Sequence, residues 1–298
     1  MFRLRFVLLT FCCPYSHEQH LGMPHLPAHA HYCLLSCYSG DVLLPNVACY
    51  AAPCLPTYLC GERHKMLPLN DTEREYVVRR HNEIRNSMLA TDMLVMSYNK
   101  ELEFLASCWA NMCIERPRPS HARDLCRATN TYSNNGQNLW ADASTNSSVD
   151  WSDIKHIGAA IDSWYAEKDN VAEDVIRSYK YHESEMYEYY TQMVWAETHS
   201  VGCGRTQFSA YKYTGVSIVC DYGPAGNIIG EPVYTSGVKP CTRYPKMIQN
   251  KNYSRLCGEE IPLENDTFYP PFTLQAIKHQ CDVLVFLFLR FLLEFLLN

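Results

Sequence analysis

The 298-residue sequence lacks the short motifs that mark the common hydrolases and nucleotide enzymes. It has no G-x-S-x-G elbow, no H-E-x-x-H pair and no phosphate-binding loop. It has no C-x-x-C pair, which structural zinc sites usually need. Positive charge is never collected in one place. The 26 Lys and Arg are outnumbered by 32 Asp and Glu, and no basic stripe exists, which argues against a nucleic-acid partner. No apolar run is long enough for a comfortable membrane span. The best candidate, Val283 to Leu297, is 15 residues broken by Arg290 and Glu294, so no span is expected. A docked helix, an interfacial helix or a spurious tail all remain open there. Internal repeats are absent too.

Cysteine and tyrosine are abundant. The 15 Cys are about 5% of the chain, a usage that belongs to an oxidising compartment. With paired zinc spacing missing, disulfides are the better reading of them. Arg3 and Arg5 precede an apolar run from Phe6 to Cys13, the pattern of a short secretory signal within residues 1–16. Four N-x-S/T sequons, at Asn70, Asn146, Asn252 and Asn265, fit a secreted glycoprotein. Residues 14–31 hold His17, His20, His25, His29 and His31 among prolines. A flexible leader without fixed geometry gives no reason to expect a metal.

The chain divides by composition. Residues 17–70 form a His-, Pro- and Cys-rich arm, with five Cys between 33 and 60 and no regular period. Such an arm is expected to be pinned by bridges rather than by a core of its own. Residues 71–230 carry the regular structure, 231–260 an irregular extension closed by Cys241 and Cys257, and 261–298 a tail. Thr72 and Glu75 have capping-box spacing, ahead of a helix carrying Tyr76, Val77, Arg80, Ile84 and Met88. A second helix starts near Asn99, with Leu102, Leu105, Trp109 and Met112 on one face. A third carries Ile154, Ile157, Gly158, Ile161, Trp164 and Tyr165. Residues 186–195 read as a helix or turn feeding a strand. Strands are expected over 201–207 and 213–222, with Val216, Ile218 and Cys220 on one face. Helices before strands give an α+β fold rather than a parallel sheet. Trp109, Trp164 and Trp195 read as core. The tyrosines at 179, 181, 187, 189 and 190 could be core or an interaction surface.

Two segments are more specific. Tyr190-Thr-Gln-Met-Val-Trp195 runs on through Thr198-His-Ser-Val-Gly202-Cys-Gly, and Val219-Cys-Asp-Tyr-Gly-Pro-Ala-Gly-Asn227 follows. Both resemble signature segments of the CAP superfamily (cysteine-rich secretory, antigen 5 and pathogenesis-related proteins). His81-Asn-Glu-Ile-Arg-Asn86, Trp109-Ala-Asn-Met-Cys113 and Gly136-Gln-Asn138 resemble three more, in the family's order. The arm from His31-Tyr-Cys33 to Val47-Ala-Cys49 is similar to that of insect antigen 5, or venom allergen 5, proteins. The resemblance covers residues 32–258 and implies an α-β-α sandwich around an antiparallel sheet of three or four strands, with a disulfide-stapled N-terminal arm.

It also implies the bridges Cys33–Cys49, Cys37–Cys126, Cys60–Cys113 and Cys203–Cys220, with Cys241–Cys257 as a local fifth. Cys54 and Cys108 are then left to pair with each other, and Cys281 stays alone. Family members often carry two His and two Glu facing a cleft. Glu167, in Trp164-Tyr-Ala-Glu167, matches one of them. Gln137 stands where the family has the other Glu, and Tyr189 where it has a His. The remaining His position falls on Arg123, with His121 two residues upstream. Gln has no charge, and Tyr is neutral near pH 7. The degenerate cleft of His121, Gln137, Glu167 and Tyr189 therefore predicts neither a metal nor any other cofactor.

The function this implies is non-catalytic binding by a secreted protein of venom, saliva, haemolymph or reproductive fluid. The bound partner would be a protein, met by the loops 115–135, 142–153 and 168–186, or a small lipid or sterol near Val171 to Met186. The alternative is a metal-dependent secreted hydrolase. A channel-blocking toxin would need a C-terminal Cys-rich module, and only three Cys follow the core.

Overall fold

The computed structural model describes residues 30–39, 41–51, 54–113, 125–182 and 186–268. The signal segment, the leader through His29, His121, Cys281 and the apolar tail lie outside the described residues. In chain order the strands are β1 (Cys37–Ser39), β2 (Val42–Leu44), β3 (Lys65–Met66), β4 (Ser97–Tyr98), β5 (Gly136–Ser144), β6 (Ser200–Ala210) and β7 (Tyr213–Gly223). The helices are α1 (Val47–Tyr50), α2 (Asp71–Asn86), α3 (Lys100–Ala110), α4 (Lys155–Ala166), α5 (Glu173–Arg177) and α6 (Glu188–Met193).

Helix α2 begins two residues before the place that the Thr72–Glu75 spacing suggested. Asn70 is its N-cap: Glu73 N–H donates to Asn70 Oδ1 at 3.0 Å, and Asn70 N–H donates to Glu73 Oε2 at 2.9 Å. Two otherwise orphaned donors are satisfied reciprocally. The buried face is also rotated from the expected one. Val77, Val78, His81, Asn82, Ile84 and Arg85 point inward, while Arg80 points outward to Glu83 and Asp162. Helix α3 starts where expected, with the Asn99 side chain accepting from Leu102 N–H at 2.8 Å.

Among the described residues the main sheet has five strands, one more than the resemblance implied at most. Its order is β3-β6-β7-β5, with β4 running parallel beside β6. Strand β5 was not legible in the sequence. Its register against β7 places Gln137 opposite Asp221 and Asn138 opposite Cys220. Strands β6 and β7 form a long antiparallel hairpin in which Cys203 faces Cys220, and a disulfide joins the two.

Helices cover both faces of this sheet. Helix α3 presses on the face of Gly202 and Gly204. A Cβ built on Gly204 would lie 2.4 Å from Ser107 N, and one on Gly202 would lie 2.2 Å from Glu103 N. The Gly-Cys-Gly spacing is thus the contact that lets helix backbone meet strand backbone. Gly204→Ala is expected to cost about 1–3 kcal/mol of overpacking, read as a lower urea midpoint. The opposite face carries Cys203, Val216, Ile218 and Cys220. There it meets Val77 and Val78 of α2, Ile157, Ile161 and Trp164 of α4, and Met193 of α6 in one core cluster. Trp109, Trp164 and Trp195 are all buried. Of the five clustered tyrosines, Tyr179, Tyr187 and Tyr190 are buried, so only Tyr181 is a surface side chain and Tyr189 a half-buried one.

Among the described residues six disulfides are formed: Cys33–Cys49, Cys37–Cys126, Cys54–Cys108, Cys60–Cys113, Cys203–Cys220 and Cys241–Cys257. Four of them involve the arm, yet bridges are not its only anchor. Tyr32 is fully buried, and its hydroxyl donates to Glu101 Oε1 at 3.0 Å. The same carboxylate oxygen accepts from the Asn130 backbone and side chain. Val47 and Ala48 are buried as well. The extension is sewn on by backbone, with Val95 N–H donating to Cys257 O and Cys257 N–H to Met93 O. Arm, sandwich and extension thus belong to one unit spanning residues 29–268.

Candidate functional site

The polar groups of the candidate region are contributed by β5, β7, α2 and α6. At the centre stands His81. Its Nδ1 lies 2.8 Å from Val77 O, which can only accept, so Nδ1 carries the proton and donates. Its Nε2 then accepts from Tyr222 Oη at 3.0 Å. Tyr222 Oη in turn accepts from Asn138 Nδ2 at 3.3 Å, and the same amide donates to Tyr189 O at 3.0 Å. The chain Asn138–Tyr222–His81–Val77 is buried throughout. It ties an edge strand, a central strand and a helix together.

Burial holds His81 well below the ordinary histidine range, down to about 4, and the Arg85 and Arg80 cations add to the shift. The sign of the consequence is fixed. The unfolded chain takes up a proton near pH 6.5 and the folded one does not, so stability falls as pH drops through this window. The expected loss is about 2 kcal/mol between pH 7 and pH 5. Urea titrations at the two pH values would measure it, and the difference is expected to shrink in His81→Gln.

The candidate positions from the sequence are placed as follows. Glu167 ends α4 and turns its carboxylate onto the start of α6. Its Oε2 accepts from Tyr189 N–H at 2.8 Å and from Tyr190 N–H at 3.2 Å. A carboxylate that caps two helix N–H groups also faces the positive end of that helix. Gln137 donates from Nε2 to the buried Asp221 at 2.8 Å. Tyr189 is half-buried, with its ring edge-on to Trp164 at 6.3 Å between centroids. The structure brings Gln137, Glu167 and Tyr189 to one region, through Asn138 and α6. His121 lies outside the described residues. Among the described residues no group of three His, Cys, Asp or Glu side chains could hold a metal ion.

The signature segments do their work in the same place. Gln192 Oε1 accepts from Gly226 N–H at 2.9 Å, and its Nε2 donates to Thr198 Oγ1. Thr198 passes a hydrogen bond on to Pro224 O. Thr191 Oγ1 donates to Asn227 Oδ1, and Asn227 Nδ2 donates to Glu188 O. The two motifs are therefore two halves of one hydrogen-bonded joint. A Cβ on Gly136 would fall 1.8 Å from Gln192 Oε1, which accounts for glycine beside Gln137.

Sequence reasoning missed the most connected residue of this region, Arg85. Its fully buried guanidinium makes six hydrogen bonds to the carbonyls of Leu94, Met193, Trp195, Ala196 and Thr198. Burial lowers its pKa to about 9, offset in part by the buried Asp92 carboxylate, so it remains charged at neutral pH. The i, i+4 spacing of Val77, His81 and Arg85 is the signal that would have found it.

Fold and site together define a disulfide-stapled α-β-α domain in which the two signature motifs form one hydrogen-bonded joint beside a buried polar network. The model of the CAP family, described as the cysteine-rich secretory protein family, matches residues 78–222. Venom allergen 5 of Microctonus hyperodae is 30% identical over 189 residues, which are 59% of this chain and 76% of that protein. Venom allergen 5 of Vespa mandarinia is 29% identical over 222 residues, 68% of this chain and 98% of that protein. Among solved structures, Na-ASP-1 aligns with a TM-score of 0.48 at 24% identity, covering 64% of this chain and 48% of that one. The chain belongs to the cysteine-rich secretory protein (CAP) family.

Proposed function

We propose that this is a secreted, glycosylated CAP protein that acts by binding and not by catalysis. One observation carries the reading: the Glu167 carboxylate, the one acidic family position retained, is committed to the backbone N–H groups of Tyr189 and Tyr190. A group that caps a helix is poorly placed to serve as a base or a metal ligand. Gln137 and Tyr189, at two further family positions, offer no charge to replace it. Secretion is supported by six disulfides and by similarity to venom allergens. No helix among the described residues is long and apolar enough to cross a membrane. Glycosylation is supported by the exposure of all four sequon asparagines.

A protein partner is the favoured ligand. Exposed apolar side chains concentrate on the stapled arm, where Leu34, Tyr38, Val42, Leu43, Tyr58 and Leu59 face solvent. The region near Val171 to Met186, which would have suited a lipid, instead turns Val175, Ile176 and Tyr179 into the core. Native mass spectrometry of the glycan-trimmed protein, secreted from insect cells, tests this reading. A metal-free and lipid-free mass is expected. A bound divalent metal would revive the hydrolase alternative, and a co-purifying lipid-sized mass would move the function to an apolar ligand.

A further inference from the structure

A groove runs between α2 and the C-terminal extension. It consists of a cavity of about 610 Å³ and a neighbour of about 450 Å³, and Glu75 and Glu260 line both. The larger is within the size range of small-molecule sites. Its walls combine apolar faces, from Val78, Ile248 and Ile261, with carboxylates. The carboxylates of Glu75, Glu259, Glu260 and Glu264 make no ion pair or hydrogen bond among the described residues. Such a lining offers many acceptors beside apolar surface, the complement of a sugar, which has hydroxyl donors and C–H faces.

The sequons surround this groove. Asn252 itself lines the larger cavity. Thr72, the third residue of the Asn70 sequon, lines the smaller one. Asn265 directly follows Glu264. Asn146, in the loop after β5, lines neither cavity. The Asn252 attachment point is also held still. Asn250 Oδ1 accepts from Asn252 N–H at 2.9 Å and from Tyr253 N–H at 3.1 Å, and Asn250 Nδ2 donates to Gly258 O at 2.9 Å. The Cys241–Cys257 disulfide closes the loop that carries it. The side chain of Asn252 is exposed and forms no hydrogen bond among the described residues, so its amide is open to modification.

We infer that the occupant of this groove is the protein's own N-glycan, attached at Asn252 and laid back between the extension and α2. This rests on the glycoprotein reading above. The sugar covers the face made by α2 and the extension and leaves the apolar arm as the bare face for a partner.

The test uses the full chain secreted from insect cells. Glycopeptide mass spectrometry is expected to find Asn252 occupied. Under native conditions an endoglycosidase is expected to trim Asn252 about tenfold more slowly than Asn146, because trimming waits for the sugar to lift out. Hydrogen exchange is expected to rise over residues 75–79 and 248–264 in both Asn252→Gln and Ser254→Ala, and to stay unchanged there in Asn146→Gln. The Ser254 variant removes the glycan while keeping Asn252, which separates loss of sugar from loss of the side chain. An unmodified Asn252, or an occupied one trimmed as fast as Asn146 with unchanged exchange, overturns the inference and leaves the glycoprotein reading standing. Sugar at none of the four sequons overturns both. Protection of the same segments by spermidine, in the trimmed protein only, would assign the groove to an organic cation instead.

Discussion

Arg85→Met is expected to destabilise the fold by about 3–5 kcal/mol. The substitution strips the hydrogen bonds from five carbonyls that converge from the β4 approach, the end of α6 and the loop that follows it. Trp195 O and Ala196 O keep backbone donors, from Thr198 and Leu94, so three carbonyls lose their partner. At about 1–3 kcal/mol for each buried unpaired carbonyl, they set an upper limit above the expected loss. The desolvation of a buried guanidinium, worth several kcal/mol, is relieved at the same time and brings the net down. Arg85→Lys keeps the charge but has three donors in place of five and no planar fork, so it is expected to fall between wild type and Arg85→Met. Urea unfolding of the disulfide-intact protein at pH 7 measures all three. A loss below about 1 kcal/mol for Arg85→Met would mean that the carbonyls find water or new partners, and the clamp would lose its importance.

The second large effect is expected at Arg205. Its Nη1 meets Glu73 Oε1 at 2.8 Å with both side chains almost wholly buried, and its guanidinium also donates to Leu67 O and Ser152 O. Glu73 uses its other oxygen to close the capping box of α2. Arg205 therefore connects strand β6, the first long helix and the loop before α4. Arg205→Met leaves a buried carboxylate without its cation and is expected to cost about 3–5 kcal/mol. The double variant Arg205→Met/Glu73→Gln removes the stranded charge and is expected to recover part of that loss. Full additivity of the two single changes would show that the pair is not coupled.

Much of this architecture was readable beforehand, for physical reasons. Helices α3 and α4 have strong apolar stripes, and the β6–β7 hairpin has a long alternating face, so periodicity located them. The motif order pointed to the family. Strand β5 was not readable, because it is an edge strand whose second half, Ala141 to Ser144, is small, polar and largely exposed. The start of α2 was misjudged because two overlapping capping patterns occur in Asn70-Asp-Thr-Glu-Arg-Glu75, and only the tertiary position of Glu73, beside Arg205, selects the first. The roles of Arg85 and His81 were hidden by their polarity. A period count treats both as outward-facing. What turns them inward is a set of carbonyls and a tyrosine more than 100 residues away in the chain.

The cleft had the same partial legibility. Glu167, Gln137 and Tyr189 could be named from motifs, but their partners could not. The capping of α6 by Glu167 depends on a helix of six residues whose start no local signal marks. Asn138 was noticed only as part of a motif, yet it joins Tyr189 to Tyr222.

The central claim is that the retained carboxylate of the cleft belongs to the fold and not to a reaction. Calorimetric titration of zinc into the folded, disulfide-intact protein at pH 7, alongside Glu167→Gln, tests it most directly. The account predicts no saturable zinc binding in the micromolar range for either protein, and a lower unfolding temperature for Glu167→Gln from the weakened cap. One-to-one zinc binding in the micromolar range that disappears in Glu167→Gln would contradict it.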